Sequence, residues 1–425
     1  MTTGALSAAQ RTAVQRRTVL VLSLGQVLGG IAFGATVSLG ALLAADISGN
    51  DALSGLATAS VTLGAAVCAI PLARLAARLG RRRALTLGNV FALVGIAVVI
   101  LAASVRVFPL LLAGIVLIGA GNAGNLQSRF AATDLAAPEH RGRDLSIVVW
   151  STTIGGVAGP LLLGPGELVG HAIGMPPQTG SYVFSFVAQC AALVLYLVAL
   201  RPDPLLAAQH LATQAAATTG VVAPDRPRVA RYVIFAIAGS HVVMASVMAM
   251  TPVHLSHMAH GAHGAAATPA DVSALVGVTI ALHVGGMYAL SPVFGVLADR
   301  WGRLRVVLLG QGLLGGALAF AVFAGTEAWG VMVALILLGL GWSAATVAGA
   351  ALLTEASAPE LRTRRQGRSD SLMSFSAAAG SVLAGIVLSN FQYAGLGIAA
   401  SVLVVAIVVL APLGRTRAGA GPRVA

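Results

Sequence analysis

The residues of this chain that could do chemistry are few, and most are amides, hydroxyls and imidazoles set inside long apolar runs. Gln26 stands in the middle of the first run. Asn122, Asn125 and Arg129 follow one another at spacings of three and four, which on a helix puts them on one face. Ser343 and Thr346 repeat that spacing later in the chain. Polar groups are costly in lipid, so such a face looks either onto a partner helix, as a hydrogen-bonding seam, or onto a wet cavity that admits a solute. His241 with Met248, and His283 with Thr279 and Met287, form two further stripes. Histidine titrates near neutrality, so either imidazole is a candidate proton carrier. The plainer alternative is a neutral donor that packs two helices together.

His254, His257, His260 and His263 recur every three residues, with Met250 and Met258 among them. Imidazole and thioether suit soft or borderline metals. A spacing of three drifts around a helix, however, and no thiolate or carboxylate joins the set. We therefore expect a polar or pH-sensitive mouth at this position, and no metal site. No paired acids, no His-Glu-x-x-His and no partnered Gly-x-Ser-x-Gly are present, so neither an enzyme nor a cofactor is expected. Cys68 and Cys190 each lie in an apolar run, which excludes a disulfide framework.

The elements that position these groups follow from composition. Of 425 residues, 57% are hydrophobic and 9% charged, far from the balance of a soluble domain. Apolar stretches of roughly 20 residues recur along the chain, each long enough to cross the hydrocarbon layer as a helix. They lack the alternation of barrel strands, so the expected fold is all-α, a polytopic membrane protein. The runs place spans at 17–44, 53–77, 83–103, 107–133, 145–166 and 181–200. Six more fall at 231–258, 272–296, 305–325, 329–353, 370–391 and 394–414. The proline-bearing segment 201–230 reads as a linker, dividing a bundle at 1–200 from one at 231–425.

A net charge of +12 suggests nucleic acid until its distribution is read. There is no lysine, and the arginines cluster after even numbers of spans. With the N-terminus in the cytoplasm, every arginine except Arg106 lies on or near the cytoplasmic side. The charge is a topology signal for a multi-pass protein of the cell membrane with both termini inside, and no nucleic-acid partner is expected.

The chain also repeats itself. Thr133-Asp134-Leu135-Ala136-Ala137-Pro138-Glu139 is matched by Thr354-Glu355-Ala356-Ser357-Ala358-Pro359-Glu360, an offset of 221. Arg78-Leu79-Gly80-Arg81 is matched by Arg300-Trp301-Gly302-Arg303, an offset of 222. Parallel halves of six helices with a solute site between them form a transporter architecture.

At these residues the chain resembles the major facilitator superfamily over nearly its whole length. Gly295-Val296-Leu297-Ala298-Asp299-Arg300-Trp301-Gly302-Arg303 matches that family's loop motif, which implies a gate on the cytoplasmic face. There the carboxylate can meet a helix N-terminus or an arginine. Arg78, Gly80, Arg81, Arg129, Asp134 and Glu355 join it as gate candidates. The first-half copy has Ala73 and Ala77 where glycine and aspartate are expected, so a matching latch there is in question. Gly155-Gly156-Val157-Ala158-Gly159-Pro160 resembles the family's antiporter glycine-proline motif, with Gly155, Gly159 and Pro160 as its packing positions. It favours export.

Two departures matter. The arginine that the family's drug/proton antiporters carry in helix four falls near Ile115, where none is present, and no Asp or Glu stands at the centre of an expected span. Asp370 in particular falls at a span's edge. Coupling then uses histidine, or the protein is a facilitator. The expected function is secondary transport of a small molecule by alternating access, as an exporter or antiporter. An importer, a uniporter and a non-transporting sensor are the alternatives. The expected partners are the solute, the bilayer and protons, and the fold suffices as a monomer. Gln26, Asn122, Asn125, His241, Met248, His283, Ser343 and Thr346 are the expected cavity residues. Aromatic residues are only 5% of the chain, so nothing in the sequence announces a stacking site.

Overall fold

The structure, a computed structural model, describes residues 8–49, 53, 55–176, 179–219, 225–262 and 269–415. Among them there is no strand. Eleven helical segments have the length and apolarity to cross a bilayer, and a broken helix supplies a twelfth crossing.

The first half comprises α1 (Ala8–Ser48), α2 (Gly55–Leu79), α3 (Arg81–Val105) and α4 (Phe108–Ala131), then α5 (Arg141–Leu161), α6 (Leu163–Ala172) and α7 (Ser181–Ala199). The expected fifth span, 145–166, is thus two helices meeting at Leu162. Pro165 has no N–H to return to the Leu161 carbonyl, so the first helix ends before it. Arg141, Arg143 and Asp144 open α5 with a charged first turn.

The segment expected as a linker carries α8 (Pro204–Thr219). Asp203 starts this helix, its carboxylate accepting the Leu205 and Leu206 N–H groups at 3.1 and 3.2 Å. The same carboxylate accepts the Arg82 N–H at 2.8 Å and so caps α3 as well.

The second half comprises α9 (Pro227–Ala262), α10 (Pro269–Tyr288), α11 (Ser291–Trp301), α12 (Arg303–Phe323), α13 (Ala328–Glu355) and α14 (Pro359–Val409). The expected eighth span, 272–296, is broken between α10 and α11, where Pro292 opens the new helix. The last two crossings are the arms of α14, which turn on Gln392 with φ of 58°. The arm expected at 370–391 starts eleven residues earlier, at Pro359. Its arginine-rich beginning packs against the first half, and a helix shielded from lipid needs no apolar composition.

The two bundles share one core at the end that carries the arginines. Phe130, Leu145 and Val149 of the first half join Phe294, Ala298, Leu353 and Met373 of the second in one cluster of buried side chains. At the opposite end each half has its own: Leu39, Val61, Ile96 and Ile115 in one, Val247, Leu314, Val331 and Leu335 in the other. The halves are therefore welded at the arginine-rich end.

Candidate functional site

The weld is built twice, by corresponding residues. Arg81 opens α3 after Gly80, and Arg303 opens α12 after Gly302; the glycines have φ of 92° and 100°, values that side-chain-bearing residues rarely adopt. Each arginine turns inward to the carboxylate at the end of its half's fourth crossing. Arg81 Nε lies 2.9 Å from Asp134, and Arg303 Nε lies 2.9 Å from Glu355. Each then reaches the other half. Arg81 donates to Gln366 Oε1 at 2.6 Å, and Arg303 donates to the Pro138 carbonyl. Gln366 donates in turn to Thr354, whose hydroxyl is 3.4 Å from that of Thr133.

Asp299, at the end of α11, accepts the backbone N–H groups of Gly142 and Arg143 at 2.9 Å each. These are the unpaired donors of the first turn of α5, where the helix dipole also favours a negative charge. Arg303 lies 3.0 Å from the same carboxylate. The helices cross closely there because Gly295 is bare: a methyl group at that position would collide with Ser146 Oγ. The corresponding crossing of α2 and α14 exchanges the roles, with Ala73 facing Gly367. Ala73 thus takes the place of Gly295, and Gly367 the place of Ser146. Ala77 brings no carboxylate, and the Arg81–Gln366 hydrogen bond holds that side instead. Arg78 and Arg300 are exposed and stand outside these contacts.

A further pair bridges the halves deeper in the bundle. Arg129 of α4 forms an ion pair with Asp370 of α14, and their side chains are 4% and 0% exposed. The expectation that Asp370 sits at a span's edge is corrected: it lies eleven residues inside α14, roughly 16 Å from the helix start. Arg129, one of the gate candidates, meets Asp370, because Asp134 belongs to Arg81. Asp370 Oδ2 and Arg129 Nε are buried without a hydrogen-bond partner.

Around this pair the second half gathers aromatic rings. Trp342 Nε1 donates to His241 Nδ1 at 2.6 Å, and Tyr288 meets the Trp342 ring edge-on at 5.8 Å between centroids. An indole N–H only donates, so this His241 nitrogen is an acceptor and carries no proton. His241, Trp342 and Tyr288 lie fourteen, thirteen and thirteen residues from the arginine-rich ends of α9, α13 and α11. At 1.5 Å per residue that is about 20 Å, mid-membrane depth. His241 and Tyr288 keep part of their surface accessible. The sequence did not announce this group because the three residues come from separate helices.

The other expected cavity residues divide. Asn122, Asn125 and Met248 are half-buried, with Asn125 pressed onto Gly29 of α1. Gln26 is buried and donates to Thr152 of α5 at 3.0 Å. Ser343 and Thr346 are fully buried and their hydroxyls have no partner. His283 is fully buried as well, its Nδ1 donating to the Leu335 carbonyl at 2.8 Å. The geometry makes it a link between α10 and α13. Gly155 and Gly159 bring α5 onto α1: a methyl on Gly159 would lie 2.8 Å from the Ile31 carbonyl. Pro160 lies within α5.

At the far end, His254 stacks on Tyr393 with centroids 4.1 Å apart and bonds the Gly325 carbonyl at 2.6 Å. His257 and His260 lie in α9, and His263 falls outside the described residues. Among the described residues no cluster has the ligands for a metal.

Twelve crossings in two halves, joined by duplicated contacts at one end, define a multi-pass membrane protein of internal two-fold pseudosymmetry. The sequence profile of the Major Facilitator Superfamily matches residues 22–288 and 267–423, and the chain belongs to this superfamily of transporters. Relatives agree. The MFS-type transporter YdeG of Bacillus subtilis is 35% identical over 401 residues, covering 93% of this chain and 91% of its own. The riboflavin transporter RfnT of Brucella anthropi is 29% identical over 383 residues, 88% of this chain and 90% of its own. In fold, the human organic anion transporter MFSD10 matches 93% of this chain and 99% of its own at 19% identity, with a TM-score of 0.71.

Proposed function

We propose that this secondary transporter moves a small, planar, amphipathic molecule across the cell membrane by alternating access. The arginine-rich end is the cytoplasmic gate, following the positive-inside rule, and the halves are closed there. The observation that carries the substrate reading is the His241–Trp342–Tyr288 group at mid-membrane depth. Aromatic walls favour a flat ring, and the half-buried Asn122 and Asn125 offer donors and acceptors to orient it. Arg129 and Asp370, the charged pair beside this group, neutralise one another, which suits an uncharged cargo.

Asp370 supplies the coupling carboxylate. Protonating it removes the charge that holds Arg129 and so loosens the two halves, which ties proton binding to the conformational change. The glycine-proline packing of α5 on α1 supports proton-driven export as the direction. A second reading is uptake or facilitated passage of a heteroaromatic metabolite. It is favoured by the relative that is a riboflavin transporter, since riboflavin's flat ring suits the same aromatic wall.

Purified protein in proteoliposomes, given radiolabelled riboflavin and a pH dye, tests both. Substrate-dependent proton movement that disappears in Asp370→Asn supports coupling through this carboxylate. Flux without proton movement sinks the antiporter and leaves a facilitator. Absence of flux in either direction removes riboflavin as the cargo.

A further inference from the structure

Two arginines beside the gate take no part in it. Arg82 and Arg83 follow Arg81 on α3 and look outward, over a depression of about 270 Å³ between α3 and α7. Thr86, Leu87, Val90 and Leu197 complete its wall. One turn beyond Leu197 stands Arg201, exposed, with its Nε on the Leu197 carbonyl. Two guanidinium groups therefore rim a hollow whose floor is apolar, and a third, that of Arg201, stands just past its Leu197 wall. Asp203 lies close by, but its carboxylate is occupied by three backbone N–H groups.

Above the hollow the surface continues as an apolar seam. Val90, Val94 and Leu101 on α3 and Leu197, Val194 and Val187 on α7 are all exposed on the outside of the bundle. A cationic rim at the interface that leads into an exposed apolar seam along the bilayer matches a molecule with an anionic head and two hydrocarbon tails. A soluble anion would use the rim and leave the seam unexplained.

The repeat supplies an internal comparison. The second-half counterparts of Arg82, Arg83 and Val90 are Leu304, Arg305 and Gly312. Leu304 is turned inward toward Gly414, and Arg305 donates to the Trp301 carbonyl. The corresponding place has one cation where the first half has two. The cationic pair is thus a property of the first half and does not follow from the duplicated loop.

We propose that the α3–α7 groove binds one anionic phospholipid, its phosphate held by Arg82, Arg83 and Arg201 and its tails along the Val90–Leu197 seam. The site adjoins the gate, since Arg81 and Arg82 are consecutive. The lipid steadies the arginine-rich end of α3, and with it the Arg81 contacts.

Delipidated full-length protein in mild detergent is titrated with dioleoyl-phosphatidylglycerol, dioleoyl-phosphatidylcholine or inorganic phosphate. Native mass spectrometry counts the lipid retained per chain, and melting is followed in parallel. One phosphatidylglycerol per chain is expected for the wild type and for Arg305→Gln, with a raised melting temperature. The double variant Arg82→Gln/Arg83→Gln is expected to hold it roughly thirtyfold more weakly. Equal retention of the two lipids by the wild type overturns the proposal, and so does wild-type retention in the double variant. Inorganic phosphate alone reproducing the melting shift also overturns it, by reducing the site to an anion pocket. Should the double variant fail to fold, Arg83→Gln alters only an exposed side chain, and undiminished retention there is equally fatal.

Discussion

The hydroxyls of Thr133 and Thr354, which hold the same position in the two halves, lie 3.4 Å apart at the arginine-rich end. A residue that meets its own counterpart lies on the pseudo-two-fold axis, so this contact marks where the halves pivot or part. Alternating access through this end would separate the two threonines. Cysteines at both positions, in a chain with Cys68 and Cys190 replaced by serine, are placed to form a disulfide after a small adjustment. Oxidation is expected to abolish transport and reduction to restore it. Unimpaired flux in the fully cross-linked protein would show that the halves do not separate here.

Asp299 is the latch that holds α11 to α5. Its carboxylate accepts two N–H groups that have no other partner in the helix, so Asp299→Ala leaves them bare. Loss of such a cap typically costs about 0.5–2 kcal/mol. That corresponds to roughly a twofold to thirtyfold shift toward a state open at the arginine-rich end. Labelling of a cysteine placed at Ser146, beneath the latch, is expected to quicken accordingly. Asp299→Asn keeps acceptor oxygen but loses charge, and should fall between.

How much of this was legible in the sequence depends on whether the repeat marks it. Arg81–Asp134 and Arg303–Glu355 are two copies of one pair, and the internal match of the two loops points straight at them. Arg129–Asp370 has no copy: the counterpart of Arg129 is Ala350 and that of Asp370 is Val149. Hydropathy also misplaces Asp370, because the start of α14 is polar yet shielded by the other half. His241, Trp342 and Tyr288 meet only through the packing of α9, α10, α11 and α13, which no local pattern encodes. His283 shows the converse, a residue of promising type that the fold spends on joining two helices.

The buried pair makes an asymmetric prediction. Removing one partner strands a charge in the core, at a typical cost of about 3–5 kcal/mol, whereas replacing both with apolar residues of similar volume is often neutral. Arg129→Met is therefore expected to lower the melting temperature sharply, with Arg129→Met/Asp370→Leu recovering most of the loss. The double variant should remain folded and carry no proton-coupled flux. A double variant as unstable as the single one would mean that the pair is needed for folding and says nothing of coupling.

Trp342→Phe tests the aromatic group. It keeps a ring against Tyr288 and removes the one N–H that occupies His241 Nδ1. If His241 carries a proton during the cycle, the pH profile of transport is expected to change in this variant and to revert in Trp342→Phe/His241→Gln. Substrate KM should rise modestly, by about threefold to tenfold, since a stacked aromatic contact is worth about 0.5–1.5 kcal/mol. An unchanged profile would show that His241 does not titrate within the cycle.

Outside the membrane, Asp225 tests how the linker is tied down. Its carboxylate receives Arg365 at 2.5 and 2.8 Å and the Ala358 N–H at 3.1 Å. The Arg365 hydrogen bonds, above all, hold it below the usual carboxylate range. A group whose folded pKa is depressed stabilises the fold above its unfolded value and loses that contribution as pH falls through the folded one. Asp225→Asn should therefore melt below the wild type at pH 7, by only a small margin because the pair is partly exposed. The gap is expected to narrow from about pH 4 downward and to close once the wild-type carboxyl is protonated. A gap that persists unchanged into acid would mean that Asp225 acts through its hydrogen bonds alone, independent of its charge.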